Sequence, residues 1–249
     1  MSAETQAVAI VTGASKGIGR AIALKLAATG YRVVCAARQS EPLDAMVAEM
    51  RQSGYQALAV SCDVMDSQAR QVLLDRTLTH FGRLDVLVNN AGGGGPNNAM
   101  TLSAEAFTRI FEFNVTSAYA LIQLCAPHMR NGVIINITSA AARYSQPGFT
   151  AYGTAKAALT QLTKLLAAEL APHIRVNAVA PGPVMTDALK RAAPEGLLET
   201  MARNTPLARL GNTDDIASAV LYLAGESGNW ITGKVLELDG GAEQSVWPG

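Results

Sequence analysis

Four side chains in the middle of the sequence have types and spacing suited to proton chemistry: Asn114, Ser139, Tyr152 and Lys156. Ser139 stands thirteen positions before Tyr152, and Lys156 four after it. Residues four apart on a helix share a face, so the Lys156 ammonium is expected near the Tyr152 phenol. A free tyrosine ionises near pH ~10, and acid/base work near neutrality needs a drop of about 3 units, worth roughly 4 kcal/mol. One positive charge at ~4 Å in an effective dielectric of ~20 contributes about 4 kcal/mol, enough to bring the phenol into a working range. Tyr152 is thus the candidate acid/base. Taken singly, each residue also has an ordinary reading: a strand-end cap, a helix interruption, a half-buried aromatic, a solvated lysine. Their order and spacing together argue for a site.

A second cluster handles anions. Thr12-Gly13-Ala14-Ser15-Lys16-Gly17-Ile18-Gly19 is a glycine-rich turn that follows an apolar run and opens a helical pattern. Such a turn brings backbone N–H groups and a helix N-terminus to a pyrophosphate, although a glycine turn alone can be a plain strand–helix connection. A carboxylate at the end of the second strand would bond the ribose 2′-hydroxyl of NAD. Here Ala37 is followed by Arg38 instead. A fork-shaped guanidinium and the point charge of Lys16 suit a phosphate dianion, so the expected cofactor is NADP(H).

These groups need a scaffold. Short β-branched runs alternate with amphipathic segments, the signature of a parallel α/β sheet. Expected strands are Ala7–Thr12, Arg32–Ala37, Ala57–Cys62, Leu84–Asn89, Val133–Thr138, Arg175–Ala180 and Val235–Leu238. Expected helices are Ile18–Thr29, Pro42–Ser53, Ser67–Phe81, Ala104–Phe113, Ser117–Met129, Ala151–Leu170 and Thr213–Ala224. The expected fold is one doubly wound Rossmann-type α/β domain over residues 1–249, a seven-stranded parallel sheet flanked by helices. A long proline-bearing stretch, residues 183–211, is expected to act as a substrate lid.

Composition narrows the function classes. With 49% hydrophobic residues and 20 Lys+Arg against 20 Asp+Glu, the chain can bury a large core and carries no net field to gather nucleic acid. No apolar run approaches the roughly 18 to 20 residues of a bilayer helix, and no basic stretch precedes the first apolar run. Cys35, Cys62 and Cys125 are an odd set without CxxC spacing, which predicts reduced thiols and a cytoplasmic location. His80, His128 and His173 share no ligand spacing, so no metal site is expected.

The Gly-x3-Gly-x-Gly turn, Asn89-Asn90-Ala91-Gly92, and the Ser139, Tyr152-x3-Lys156 arrangement together resemble the short-chain dehydrogenase/reductase family, over nearly the whole chain from Val8 to about Gly241. The resemblance implies roles. Tyr152 exchanges a proton with the substrate oxygen, Ser139 orients that oxygen, and Lys156 bonds the nicotinamide ribose. Asn114 holds a water linking Lys156 to solvent. Gly13, Ser15, Lys16, Gly17, Ile18 and Gly19 are expected at the pyrophosphate, with Arg38 at the 2′-phosphate. Asp63 and Val64 are placed at the adenine, although Asp63 can instead cap the next helix. Asn90, Ala91 and Gly92 fall at the ribose, and Pro181, Gly182, Val184 and Thr186 at the nicotinamide carboxamide. A homotetramer is implied, with Ala155–Leu170 and Trp230–Gly249 as candidate interfaces.

The substrate is less constrained. The expected lining, Gly93–Pro96, Ala140–Ala142, Tyr144, Phe149 and Met185–Leu198, is small and apolar. It suits a hydrophobic ketone or secondary alcohol, and local motifs look most like bacterial 7α-hydroxysteroid dehydrogenases. A 3-oxoacyl-carrier-protein reductase is the alternative, with Arg130, Arg143 and Lys190 as carrier contacts. A small ketone or polyol is a third. A non-enzymatic NADP-binding sensor would be expected to lack one of the four central residues. An enoyl-thioester reductase would place six residues, not three, between Tyr and Lys.

Overall fold

The computed structural model describes residues 6–247; the outermost positions of the expected domain, 1–5 and 248–249, lie outside the described residues. Seven parallel strands form one sheet in the order β3-β2-β1-β4-β5-β6-β7, a Rossmann-like arrangement with helices on both faces. The strands are β1 (Val8–Thr12), β2 (Arg32–Ala37), β3 (Ala57–Ser61), β4 (Leu84–Asn89), β5 (Met129–Ile137), β6 (Ile174–Pro181) and β7 (Val235–Leu238).

Every residue of β1 and β2 is buried, as a strand covered on both faces requires. Alternation then decides which layer each residue joins. Ala9 and Val11 face the layer of α1 (Gly17–Ala28), α2 (Ser40–Gln52) and α9 (Thr213–Ala224). Val8 and Ile10 pack with α3 (Ser67–Phe81), α5 (Ser117–Cys125) and α6 (Thr150–Leu170). Each strand delivers its C-terminal end to the same edge of the sheet, and the order reverses between β1 and β4. That crevice is where an open α/β sheet binds ligands.

All seven expected strands are present. Two local readings needed correction. The helix expected to reach Met129 stops at Cys125, because Pro127 can neither donate to the helix ladder nor avoid the preceding turn. The chain instead enters β5 at Met129, four positions earlier than expected. After α4 (Ala104–Phe111), the backbone widens into a π-turn over Glu112–Thr116 that carries Asn114. The expected lid stretch contains two short helices, α7 (Asp187–Ala192) and α8 (Leu197–Asn204), which share a small apolar cluster with Leu210, Ala242 and Val246.

Candidate functional site

A cavity of about 1030 Å³ runs along the C-terminal edge of the sheet, from the glycine turn to Trp247. At its first end, Gly13 adopts φ +64°, and a Cβ there would stand 2.9 Å from Asn90 Nδ2. Glycine is therefore required by both conformation and space. Asn90 explains the crowding: its Nδ2 donates to the Thr12 carbonyl at 2.8 Å, while the Thr12 hydroxyl accepts from the backbone N–H groups of Asn90 and Ala91. The asparagine motif after β4 thus holds the glycine turn in place.

Beside this turn, Lys16 and Arg38 both line the cavity, and neither has a carboxylate partner among the described residues. The Arg38 guanidinium lies 5.8 Å from the centroid of the Phe113 ring, close enough for a cation–π contact. Two unpaired cations on a glycine cradle fit a phosphorylated dinucleotide. Val64 lines the cavity but Asp63 does not; its carboxylate accepts from Met65 N at 3.0 Å. Nor does Asp63 cap α3, because Asp66 accepts from Gln68 N and Ala69 N.

Farther along, Ser139, Tyr152 and Lys156 line one stretch of wall. Ser139 follows the end of β5, and its Oγ accepts from Ala141 N at 3.2 Å. Lys156 is buried, with Nζ donating to the Ile137 carbonyl at 2.9 Å and lying 5.7 Å from the Tyr152 ring centroid. The structure thus brings the three together on one cavity. Burial raises the Tyr152 phenol above its ordinary value, opposed by the neighbouring Ser139 hydroxyl, while burial pushes the Lys156 ammonium down to about 8. Desolvation is the largest influence on each group.

Asn114 does not line the cavity. From the π-turn its Nδ2 donates to the carbonyls of Gly93 and Ile110, and its Oδ1 accepts from Gly93 N, all at 2.8 to 2.9 Å. It fixes the Gly92-Gly93 backbone against Lys156. A Cβ at Gly92 would stand 2.8 Å from Asn114 Oδ1 and 3.0 Å from Lys156 Nζ, so that contact requires glycine.

Ala91, Gly92, Pro181, Gly182, Val184 and Thr186 line the same cavity, as do Ser15, Gly17, Ile18 and Gly19. Thr186 also caps α7, its Oγ1 accepting from Leu189 N at 3.2 Å. The far wall contains residues that sequence reasoning missed: Gln146, Met201, Ser245, Val246 and Trp247. The three cysteines are free and buried, and no cluster with metal-binding potential exists among the described residues. Among those residues, too, no helix is long and apolar enough to cross a membrane.

Comparison with known proteins bears on this geometry. A family model described as enoyl-(acyl carrier protein) reductase matches residues 13–243. The chain is 40% identical over 242 residues to 7alpha-hydroxysteroid dehydrogenase of Escherichia coli (strain K12), covering 96% of this chain and 94% of that protein. It is 39% identical over 238 residues to the 3-oxoacyl-[acyl-carrier-protein] reductase of Staphylococcus aureus (strain Mu50), covering 94% and 96% respectively. A solved structure of 7alpha-hydroxysteroid dehydrogenase complexed with NADH and 7-oxo glycochenodeoxycholic acid superposes with a TM-score of 0.93 at 38% identity, covering 99% of each chain.

Proposed function

The chain belongs to the short-chain dehydrogenase/reductase family of oxidoreductases, and from that premise we propose that it moves a hydride between NADP(H) and a hydrophobic ketone or secondary alcohol. The observation that carries this reading is the pairing, along one cavity, of two unpartnered cations at the glycine turn with Ser139, Tyr152 and Lys156 farther on.

In this reading Lys16 and Arg38 hold the 2′-phosphate, and the Gly13–Gly19 turn holds the pyrophosphate. Val64 serves the adenine side, Asn90, Ala91 and Gly92 the ribose, and Pro181, Gly182, Val184 and Thr186 the carboxamide. When bound, the nicotinamide supplies or accepts the hydride. Tyr152 gives its proton to the carbonyl oxygen during reduction, a role for which a raised phenol is well suited because it stays protonated through the neutral range. Ser139 orients the same oxygen. Lys156, fixed on Ile137, holds a positive charge beside it, and Asn114 acts as a positioning residue through the Gly93 backbone. The test is a panel of ketones and alcohols assayed with NADPH, NADH and their oxidised forms; equal use of both cofactors, or turnover of none of the panel, overturns it.

The 39% identity to a 3-oxoacyl reductase supports a second substrate class. An acidic carrier needs unpaired cations near the cavity, and Arg143 is engaged by Glu237 and Asp239. Arg130 stands at the start of β5, away from the C-terminal edge that holds the cavity, which leaves exposed Lys190 alone of the three, so the hydroxysteroid-like or bulky-carbonyl reading is preferred. The three residues between Tyr152 and Lys156 argue against enoyl reduction, whatever the matching family model is called. A homotetramer is part of the proposal: Leu165 on α6 and Trp230 before β7 are exposed at 53% and 100%, and sedimentation of a monomer would remove that part.

A further inference from the structure

We propose that Gln146 and the C-terminal segment Ala242–Trp247 form a second recognition point in the cavity. It would receive a neutral hydrogen-bond acceptor on the end of the substrate away from the reacting carbonyl. The inference rests on the ketone/alcohol reading of the site and names the substrate class more closely.

The segment is built into the wall. Tyr144 Oη and the Arg143 guanidinium donate to the Ala242 carbonyl at 2.6 and 2.7 Å. Val246 is 5% exposed within the apolar cluster of Leu197, Met201 and Leu210. Rings continue the wall from the acid/base residue: Phe149 stands edge-on to Tyr152 at 6.3 Å, and Trp247 edge-on to Phe149 at 5.9 Å. Beyond that row, Ser245 Oγ donates to Gln146 Oε1 at 2.6 Å and accepts from Trp247 N at 3.2 Å.

The amide is therefore anchored by its oxygen. Its Nε2 makes no hydrogen bond among the described residues, and Gln146 lines the cavity. A primary amide nitrogen can only donate, so the complementary group on a ligand is an acceptor. Charge selects a neutral one. Arg143 is offset by Asp239 and Glu237, and the charged residue that the lid adds to the lining is Asp187, so among the described residues no free cation lines this end of the cavity to favour a carboxylate. A hydrophobic ketone with a distal carbonyl, ester or hydroxyl fits; a long apolar chain without one leaves the amide unpaired.

The experiment compares three probes on one skeleton, reduced by the full-length protein with NADPH: 4-phenylcyclohexanone, methyl 4-(4-oxocyclohexyl)benzoate and 4-(4-oxocyclohexyl)benzoic acid. The ester should exceed the unsubstituted ketone in kcat/KM by about tenfold, through KM, and the acid should not. Gln146→Glu, equal in size but without the donor, and Gln146→Leu should each collapse the ester-to-ketone ratio toward one. A wild-type ratio near one, a preference for the acid, or a ratio untouched by both variants overturns the proposal. Reduction of none of the probes overturns the ketone reading instead. The subsite then stands or falls on whether the ester quenches Trp247 fluorescence, in a Trp230→Phe background, with an affinity that Gln146→Leu weakens.

Discussion

Lys156 Nζ lies 5.7 Å from the centroid of the Tyr152 ring and is tethered by a 2.9 Å hydrogen bond to the Ile137 carbonyl at the end of β5. One helical turn separates the two residues, so α6 sets their common face and the neighbouring strand sets the direction of the ammonium. Burial acts on both in opposite senses, raising the phenol and bringing the ammonium down to about 8. Their acidities are thereby driven apart, and the free protein carries a phenol that keeps its proton beside a lysine that titrates close to working pH.

That relationship predicts an asymmetric pH dependence. Ketone reduction needs the phenol protonated and should lose rate as Lys156 gives up its charge near pH 8. Alcohol oxidation needs the phenol as a base and should climb as pH rises above neutrality. Initial rates in both directions from pH 6 to 10 are the measurement, and oxidation that runs fastest in acid contradicts the assignment.

Tyr152→Phe removes only the hydroxyl, and the ring keeps its edge-on packing against Phe149. Turnover should fall by about 10² to 10⁴, the usual contribution of a positioned acid. NADPH affinity, read by fluorescence titration, should stay within a few-fold. Near-full turnover in this variant would falsify the role given to the phenol.

Arg38 reaches the cavity with no carboxylate partner among the described residues, against the Phe113 ring. Losing a charge-assisted bond to a phosphate costs roughly 1.5 to 3 kcal/mol, about a 10- to 150-fold change. Arg38→Asp should therefore lower the NADPH-over-NADH ratio in kcat/KM by at least that factor, since the new carboxylate also repels phosphate. An unchanged ratio means that the cation does not read the 2′ position.

The sheet was legible because β1 and β2 are apolar but for Thr12 and Arg32 and are bounded by turn residues, and the glycine turn because its spacing serves one kind of backbone approach. The far wall was not. Ser245 meets Gln146 from 99 positions away, and no local pattern announces a contact made by a tail against a loop. The end of α5 was readable, since Pro127 forbids the continuation that apolar periodicity suggested. Thr186 before α7 was likewise a capping signal, obscured by the prolines around it. The burial of Tyr152 was illegible for a different reason: charge spacing can be counted along a helix, whereas desolvation depends on everything that folds around it.

Lys156 carries a cost that can be measured apart from catalysis. Its ammonium titrates near 8 in the folded chain instead of 10.5, so the unfolded chain holds more protons between those values and stability rises with pH across that window. Below pH 8 the full penalty applies, about 3 kcal/mol at 1.36 kcal/mol per unit. Lys156→Met abolishes the penalty but leaves the Ile137 carbonyl without its donor, a loss of about 1 to 3 kcal/mol. At pH 6.5 the variant should be inactive yet equal to the parent or up to about 2 kcal/mol more stable, a gain of a few degrees in Tm. At pH 10.5 most of the penalty is gone from the parent, so the variant should there be the less stable of the two. Denaturant titrations of both proteins at the two pH values isolate the lysine, because every other titrating group is common to the pair. A variant whose relative stability improves as pH rises would mean that Lys156 is more comfortable charged in the fold than in water, and that the strain attributed to this site is absent.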